Sequence, residues 1–231
     1  MTPEELRRGV IRRFAQILAT DVVAGLLLFA AAGTVRWLGA WLYLLASVLL
    51  VVANGIYVMP RNPEIVVERG RAHEGTRGFD KVVIGLCTLF LLATYVVAGL
   101  DARRFGWAPL DPIWAAPGLA LMALSMIPTA AAMAHNRNLE PTVRIQTERG
   151  HQVTTTGPYR IVRHPMYAGM LLGLAGMPLV LGSAWSFVPV IAQILCFVIR
   201  TALEDDTLRR DLPGYAEYAA VTRFRLLPGV W

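Results

Sequence analysis

Residues 166–199 read MYAGMLLGLAGMPLVLGSAWSFVPVIAQILCFVI, a run without a single Asp, Glu, Lys or Arg. It is far longer than the roughly 20 apolar residues one membrane crossing requires. Gly182-Ser183 lies at its middle, between Met166–Leu181 and Ala184–Ile199. The reading is a tight helical hairpin whose arms each approach the length of a crossing. About 16 residues at 1.5 Å each reach only some 24 Å, so the hairpin tilts, sits shallowly or thins the bilayer.

Four further apolar stretches precede it: Ile17–Val35, Trp37–Met59, Val82–Leu100 and Ile113–Ala134. The first is retained as a span, because its core is too long for a cleaved signal peptide and no small-residue cleavage site follows. The expectation is therefore an all-α integral membrane protein with about six membrane helices, the last two a short hairpin. Residues 1–134 form four spans with a loop at 60–81, and residues 135–231 form a C-terminal core. Composition agrees: 55% of the 231 residues are hydrophobic and 16% charged, against about 25% charged in soluble domains.

Charge position tests the hairpin. If the segments alternate sides, all of the 22 Lys and Arg residues except Arg36, Arg103 and Arg104 fall on one side. That side holds the N-terminal tail with Arg7, Arg8, Arg12 and Arg13, the loops at 60–81 and 135–165, and the tail from Arg200. The positive-inside rule makes this side cytoplasmic, with both termini there, and the sorting works only if 166–199 crosses twice or re-enters. The net charge of +6 is thus explained by topology, without nucleic acid as a partner.

The two cytoplasmic loops echo one another. Asn62-Pro63-Glu64 leading to Glu68-Arg69-Gly70-Arg71-Ala72-His73 resembles Asn138-Leu139-Glu140-Pro141 leading to Glu148-Arg149-Gly150-His151. Similar juxtamembrane segments give the same look without duplication, but the pair suggests loops packed together. Cys87 and Cys196 sit in apolar runs and read as small buried thiols. His73, His135, His151 and His164 are scattered, with no second His or Cys at ligand spacing, so no metal site is expected.

Polar residues concentrate in two places. One is Thr154-Thr155-Thr156-Gly157-Pro158-Tyr159-Arg160-Ile161-Val162-Arg163-His164-Pro165-Met166-Tyr167-Ala168-Gly169. A Gly-Pro turn leads into a basic, aromatic and imidazole cluster, and Pro165 suits the first turn of a helix. Free N–H groups at that helix start attract a carboxylate. An interfacial anchor, with tyrosines in the aromatic belt and arginines on lipid phosphate, gives the same composition. The other place is Arg200 to Tyr215, where Arg200 and Glu204 are four apart on a helix. Acidic residues at the end of a membrane helix are costly unless paired or used.

Gly157-Pro158-Tyr159, Arg163-His164-Pro165-x-Tyr167-x-Gly169, Arg200-x-x-x-Glu204-Asp205, Gly214-Tyr215-x-x-Tyr218 and a closing Pro228-Gly229-x-Trp231 resemble the isoprenylcysteine carboxyl methyltransferase family. Its members are integral membrane enzymes that use S-adenosylmethionine and are related to phospholipid methyltransferases. The resemblance covers about residues 136–231 and looks like the bacterial branch, which implies a bacterial inner membrane. It implies Tyr159, His164, Pro165, Tyr167, Gly169, Glu204 and Asp205 around the cofactor. The family's eukaryotic pattern more often carries two glutamates where this chain has Glu204-Asp205. It also implies a basic residue near the methyl acceptor, at Arg223 or Arg225.

The resemblance implies a lipophilic acceptor, most simply a carboxylate. Methyl transfer from a sulfonium needs alignment and exclusion of water, and a carboxylate is already ionised at neutral pH. Arg200 or Arg223 could grip it through a bidentate fork, leaving Glu204 for the cofactor's amino group or for orienting the Arg, and His164 for the cofactor's carboxylate. A lipid amine must first lose a proton, for which Glu204 or His164 could serve. Transport is the non-enzyme alternative, resting on Asp21 and Asn54 within spans, and an assembly role is another. Membrane lipids are the expected surroundings, and the sequence sets no oligomeric state.

Overall fold

The computed structural model describes residues 2–71 and 75–231. The described residues are helical, without strands; one isolated bridge pairs Pro109 with Ser183. The helices are α1 (Pro3–Ala32), α2 (Leu38–Val58), α3 (Pro63–Glu68), α4 (Gly78–Gly99), α5 (Ala115–His135), α6 (Pro165–Leu181), α7 (Phe187–Asp211) and α8 (Tyr215–Val221). Five stretches, built on α1, α2, α4, α5 and α7, are long and apolar enough to cross a membrane. The sixth apolar helix, α6, has 17 residues. Exposed Leu26, Leu38, Ile56, Val82 and Ile127 face outward, as lipid-facing side chains do in a bundle with an apolar surround.

Three boundaries differ from the sequence reading. The basic N-terminal tail is helical from Pro3, because Thr2 and Glu5 close a capping box ahead of it. The third loop is shorter than expected: α4 continues as a π-helical turn, Leu100–Phe105, that carries Arg103 and Arg104. The second arm of the hairpin, α7, is not short. It runs from Phe187 through Arg200 to Asp211, since nothing breaks the helix where its apolar half ends, and the polar half projects beyond the apolar region.

The turn at Gly182 is where the sequence placed it, with φ +71 in the left-handed region that favours glycine. Alternation then brings the connections of the bundle to two ends. At one end Leu110 N–H donates to Gly182 O at 2.9 Å and Ala184 N–H to Ala108 O at 3.1 Å. Buried Asp101 organises this end, accepting from Ala108 N–H at 2.6 Å, Ser183 Oγ at 2.6 Å and Trp185 N–H at 3.1 Å. At the other end Arg77 pairs with Asp211. There the echoing loops do meet: Arg69 donates to Leu139 O at 3.3 Å and Asn62 Nδ2 to Asn136 O at 3.2 Å. The Ala72-His73 part of the echo lies outside the described residues.

Helices α5 and α6 make the closest contact. A Cβ at Gly176 would lie 2.6 Å from Gly118 O, and one at Gly169 would lie 2.3 Å from Thr129 Oγ1, so only glycine admits this approach. Small residues at such contacts let backbones pack where lipid offers no hydrophobic drive. The pair is a rigid floor, and α6 presents His164 and Tyr167 from its first turn. Within the spans, Asp21 accepts from Ser47 Oγ at 2.7 Å and Asn54 reaches Met133 sulfur at 3.4 Å, both across helix contacts. Cys87 and Cys196 are free thiols.

Candidate active site

A cavity opens where the 135–165 segment, the start of α6, the polar half of α7 and α8 converge. Tyr159, His164, Pro165, Tyr167 and Glu204 line it, five of the residues the sequence singled out. Tyr167 O–H donates to Glu204 Oε2 at 2.6 Å, and the His164 and Tyr167 rings lie parallel with centroids 5.8 Å apart.

Other expected residues stand elsewhere. Asp205 lies behind the wall, fully buried. Its Oδ1 accepts from Arg163 Nε at 2.7 Å and Tyr215 O–H at 2.9 Å, with His164 Nε2 at 3.4 Å; its Oδ2 accepts from Arg163 Nη2 at 3.0 Å, Arg225 Nε at 2.9 Å and Arg209 Nε at 3.2 Å. A carboxylate offers about four lone-pair sites, so Asp205 is saturated by the protein. Gly169 sits in the α5–α6 contact.

Arg200 is turned away from the expected fork. It forms a buried bidentate pair with Asp80, at 2.7 and 3.2 Å, and donates to Pro141 O at 2.6 Å. Val143 N–H donates to the same Asp80 at 2.8 Å, so this pair fastens the 135–165 segment to α4 and α7. The Arg200 guanidinium also lies over the Tyr167 ring, 5.3 Å from its centroid. Arg223 is exposed and contributes its backbone carbonyl to Arg163 Nη1 at 2.8 Å. Arg225 belongs to the Asp205 cluster and stacks on Trp231.

Sequence reasoning assigned no site role to Asn136, His151, Thr154, Tyr215 and Tyr218, which also line the cavity. Tyr215 and Tyr218 carried a signal in their Gly-Tyr-x-x-Tyr spacing. Asn136 gave none; its Nδ2 donates to Tyr159 O–H oxygen at 3.1 Å. Tyr218 O–H donates to Tyr159 O at 2.7 Å, tying α8 to the Gly-Pro turn.

Electrostatics make the tyrosines donors rather than bases. Burial raises the Tyr159 phenol, burial and then Asp205 raise Tyr215, and burial pushes Tyr218 up to about 12. Burial works to lower Arg163, and its bonds to Asp205 overcome that and hold it above its ordinary value. Burial lowers His151, against the pull of Glu140 and Glu204, so it is neutral at pH 7. The cavity thus offers a carboxylate, aromatic faces and neutral imidazole.

Residues 114–212 match the phospholipid methyltransferase family. That stretch contains α5, α6, α7 and most of the cavity wall, and the match supports methyl transfer at a membrane. The chain is also similar to the cobalt-zinc-cadmium resistance protein CzcN of Cupriavidus metallidurans, 33% identical over 135 residues, which are 57% of this chain and 58% of that protein. The chain therefore matches a little over half the length of that curated relative. Among the described residues no group of three or more His, Cys, Asp or Glu is placed to hold a metal.

Proposed function

We propose that this chain is an S-adenosylmethionine-dependent methyltransferase acting on a lipophilic acceptor, with its cofactor in the cavity around Tyr167 and Glu204. The observation that carries the reading is the meeting of Glu204 with four tyrosines and His164 in one pocket, with Glu204, His164, Tyr159 and Tyr167 inside the stretch that matches a methyltransferase family. The lining fits the group. Glu204 accepts one bond, from Tyr167, and retains lone pairs for an ammonium or ribose hydroxyl. Aromatic faces attract a cation, and neutral His151 does not repel one. The bound cofactor supplies a methyl group already activated on a sulfonium.

The chain's own residues do the rest. Tyr167 fixes Glu204, the Asp205 cluster fixes His164 and Tyr215, and Asn136 and Tyr218 fix Tyr159. Catalysis then consists of alignment and dryness. The pocket stands at the end of the bundle that carries nearly all the Lys and Arg, which the positive-inside rule assigns to the cytoplasm, with both termini there. A carboxylate acceptor needs no base and is the first reading.

The name of the matching family favours a second reading, a lipid amine as acceptor, with Glu204 as the group within reach to take its proton. Calorimetry of S-adenosylmethionine with nanodisc-embedded protein tests the site. Saturable binding lost in Glu204→Gln and His164→Ala supports it, and binding that survives both removes it. Methyl label released by alkali from the lipid product indicates an ester, and label that resists alkali indicates an amine.

A further inference from the structure

A second cavity adjoins the first across one side chain, Met166, which lines both. Its walls are mainly apolar: Phe14 and Ile17 from α1, Val51 and Val58 from α2, and Met133 and Met170 from α5 and α6. Two guanidiniums, Arg13 and Arg69, stand in this lining, and neither meets a carboxylate among the described residues.

The two arginines spring from neighbouring points. Arg69 caps the C-terminal end of α3, and Gln16 Nε2 donates to Gly70 O at 3.1 Å, drawing the chain there onto α1. A Cβ at Gly70 would lie 3.5 Å from Arg13 Cβ. Burial, and next the nearby Arg13, lower Arg69 to about 10. Two cations side by side in an apolar cavity repel one another and lose hydration unless an anion joins them.

We infer that this cavity binds a single-chain amphiphile with an anionic head, a carboxylate or phosphate, held between Arg13 and Arg69 with its alkyl chain along Phe14, Ile17, Val51 and Val58. The inference rests on the methyltransferase reading only in making this amphiphile the acceptor side of the reaction; the anion site stands on its own residues. It moves the acceptor's basic contacts from Arg200 and Arg223 to the N-terminal half of the chain. Among the described residues, Met166 is then the only side chain lining both the amphiphile cavity and the cofactor pocket.

Equilibrium binding of radiolabelled dodecanoate to protein in phosphatidylcholine nanodiscs, corrected with empty nanodiscs, tests it. Saturable binding is expected, and Arg13→Gln and Arg69→Gln each weaken it about tenfold or more, the effect of losing one charge-assisted bond. Gly55→Leu, which adds bulk to the wall without touching either charge, weakens it too. Dodecylamine does not compete. Competition by dodecyl phosphate extends the head to phosphates, and its failure restricts the site to carboxylates; both keep the anion site. Unchanged affinity in both arginine variants, or equal competition by dodecylamine, overturns it. Calorimetry with S-adenosylmethionine on the same samples separates the two readings. Dodecanoate binding without cofactor binding refutes methyl transfer and keeps the anion site, while intact cofactor binding with arginine-independent dodecanoate binding does the reverse.

Discussion

Asp205→Ala separates a clamp from a ligand contact. In the native protein Asp205 is fully buried and its partner Arg163 is 4% exposed. Removing the carboxylate leaves the Arg163 Nε and Nη2 donors and the Tyr215 hydroxyl without their acceptor. Arg163 keeps its bonds to the carbonyls of Thr222 and Arg223, but its charge has lost its counterion. Breaking a buried pair from one side costs about 3–5 kcal/mol. At about 2–4 °C per kcal/mol for a chain of this size, the melting temperature falls by roughly 6–20 °C. Thermal unfolding in nanodiscs followed by tryptophan emission measures this, and Trp231, stacked on Arg225, reports the same cluster. Glu204→Ala, which removes only the bond from Tyr167, shifts the melting temperature far less while abolishing cofactor binding. An Asp205→Ala protein that melts with the wild type but no longer binds S-adenosylmethionine would refute the clamp and make Asp205 a ligand contact.

Gly176→Val places a branched side chain against Gly118 O, where a Cβ already comes to 2.6 Å; overpacking of about 1–3 kcal/mol lowers thermal stability, whereas Gly85→Val, with nothing within 4 Å of its Cβ, leaves it unchanged. Asp101→Ala removes the acceptor of three bonds at the far end of the bundle, a loss of about 3 kcal/mol, seen as accelerated proteolysis between α6 and α7 with cofactor binding retained at low temperature. Burial lowers His151 in the fold, so the unfolded chain takes the proton first; this contribution is whole above about pH 6.5 and is lost as pH falls below that value and through the lower folded-state pKa. Melting temperatures at pH 7.5 and 5.5 should therefore differ more in the wild type than in His151→Gln.

The apolar helices and the hairpin turn were legible because composition, length and charge sorting are local quantities. The pocket was legible where a motif packs its residues close together, as in His164 to Tyr167 and Glu204. Long-range partners were not. Arg200 and Glu204, four apart, looked like a pair, but Arg200 forms its bidentate pair with Asp80 in α4, 120 residues away. Spacing alone does not reveal this. The apolar stretch read as ending at Leu100, because the π-helical turn that continues α4 to Phe105 has no strong sequence signature. Arg13 and Arg69 read as topology signals, since positive-inside sorting and ligand binding both call for arginine at a membrane surface.

The Asp80–Arg200 bond also sets an order of events during synthesis. Asp80 leaves the ribosome 120 residues ahead of its partner, a wait of roughly 6–24 s at about 5–20 residues per second. During that interval the first turn of α4 carries a carboxylate without its counterion, at the mouth of a membrane helix. Chains that terminate before residue 200 never escape that state. The last long helix to emerge thus supplies the counterion that the first turn of α4 requires.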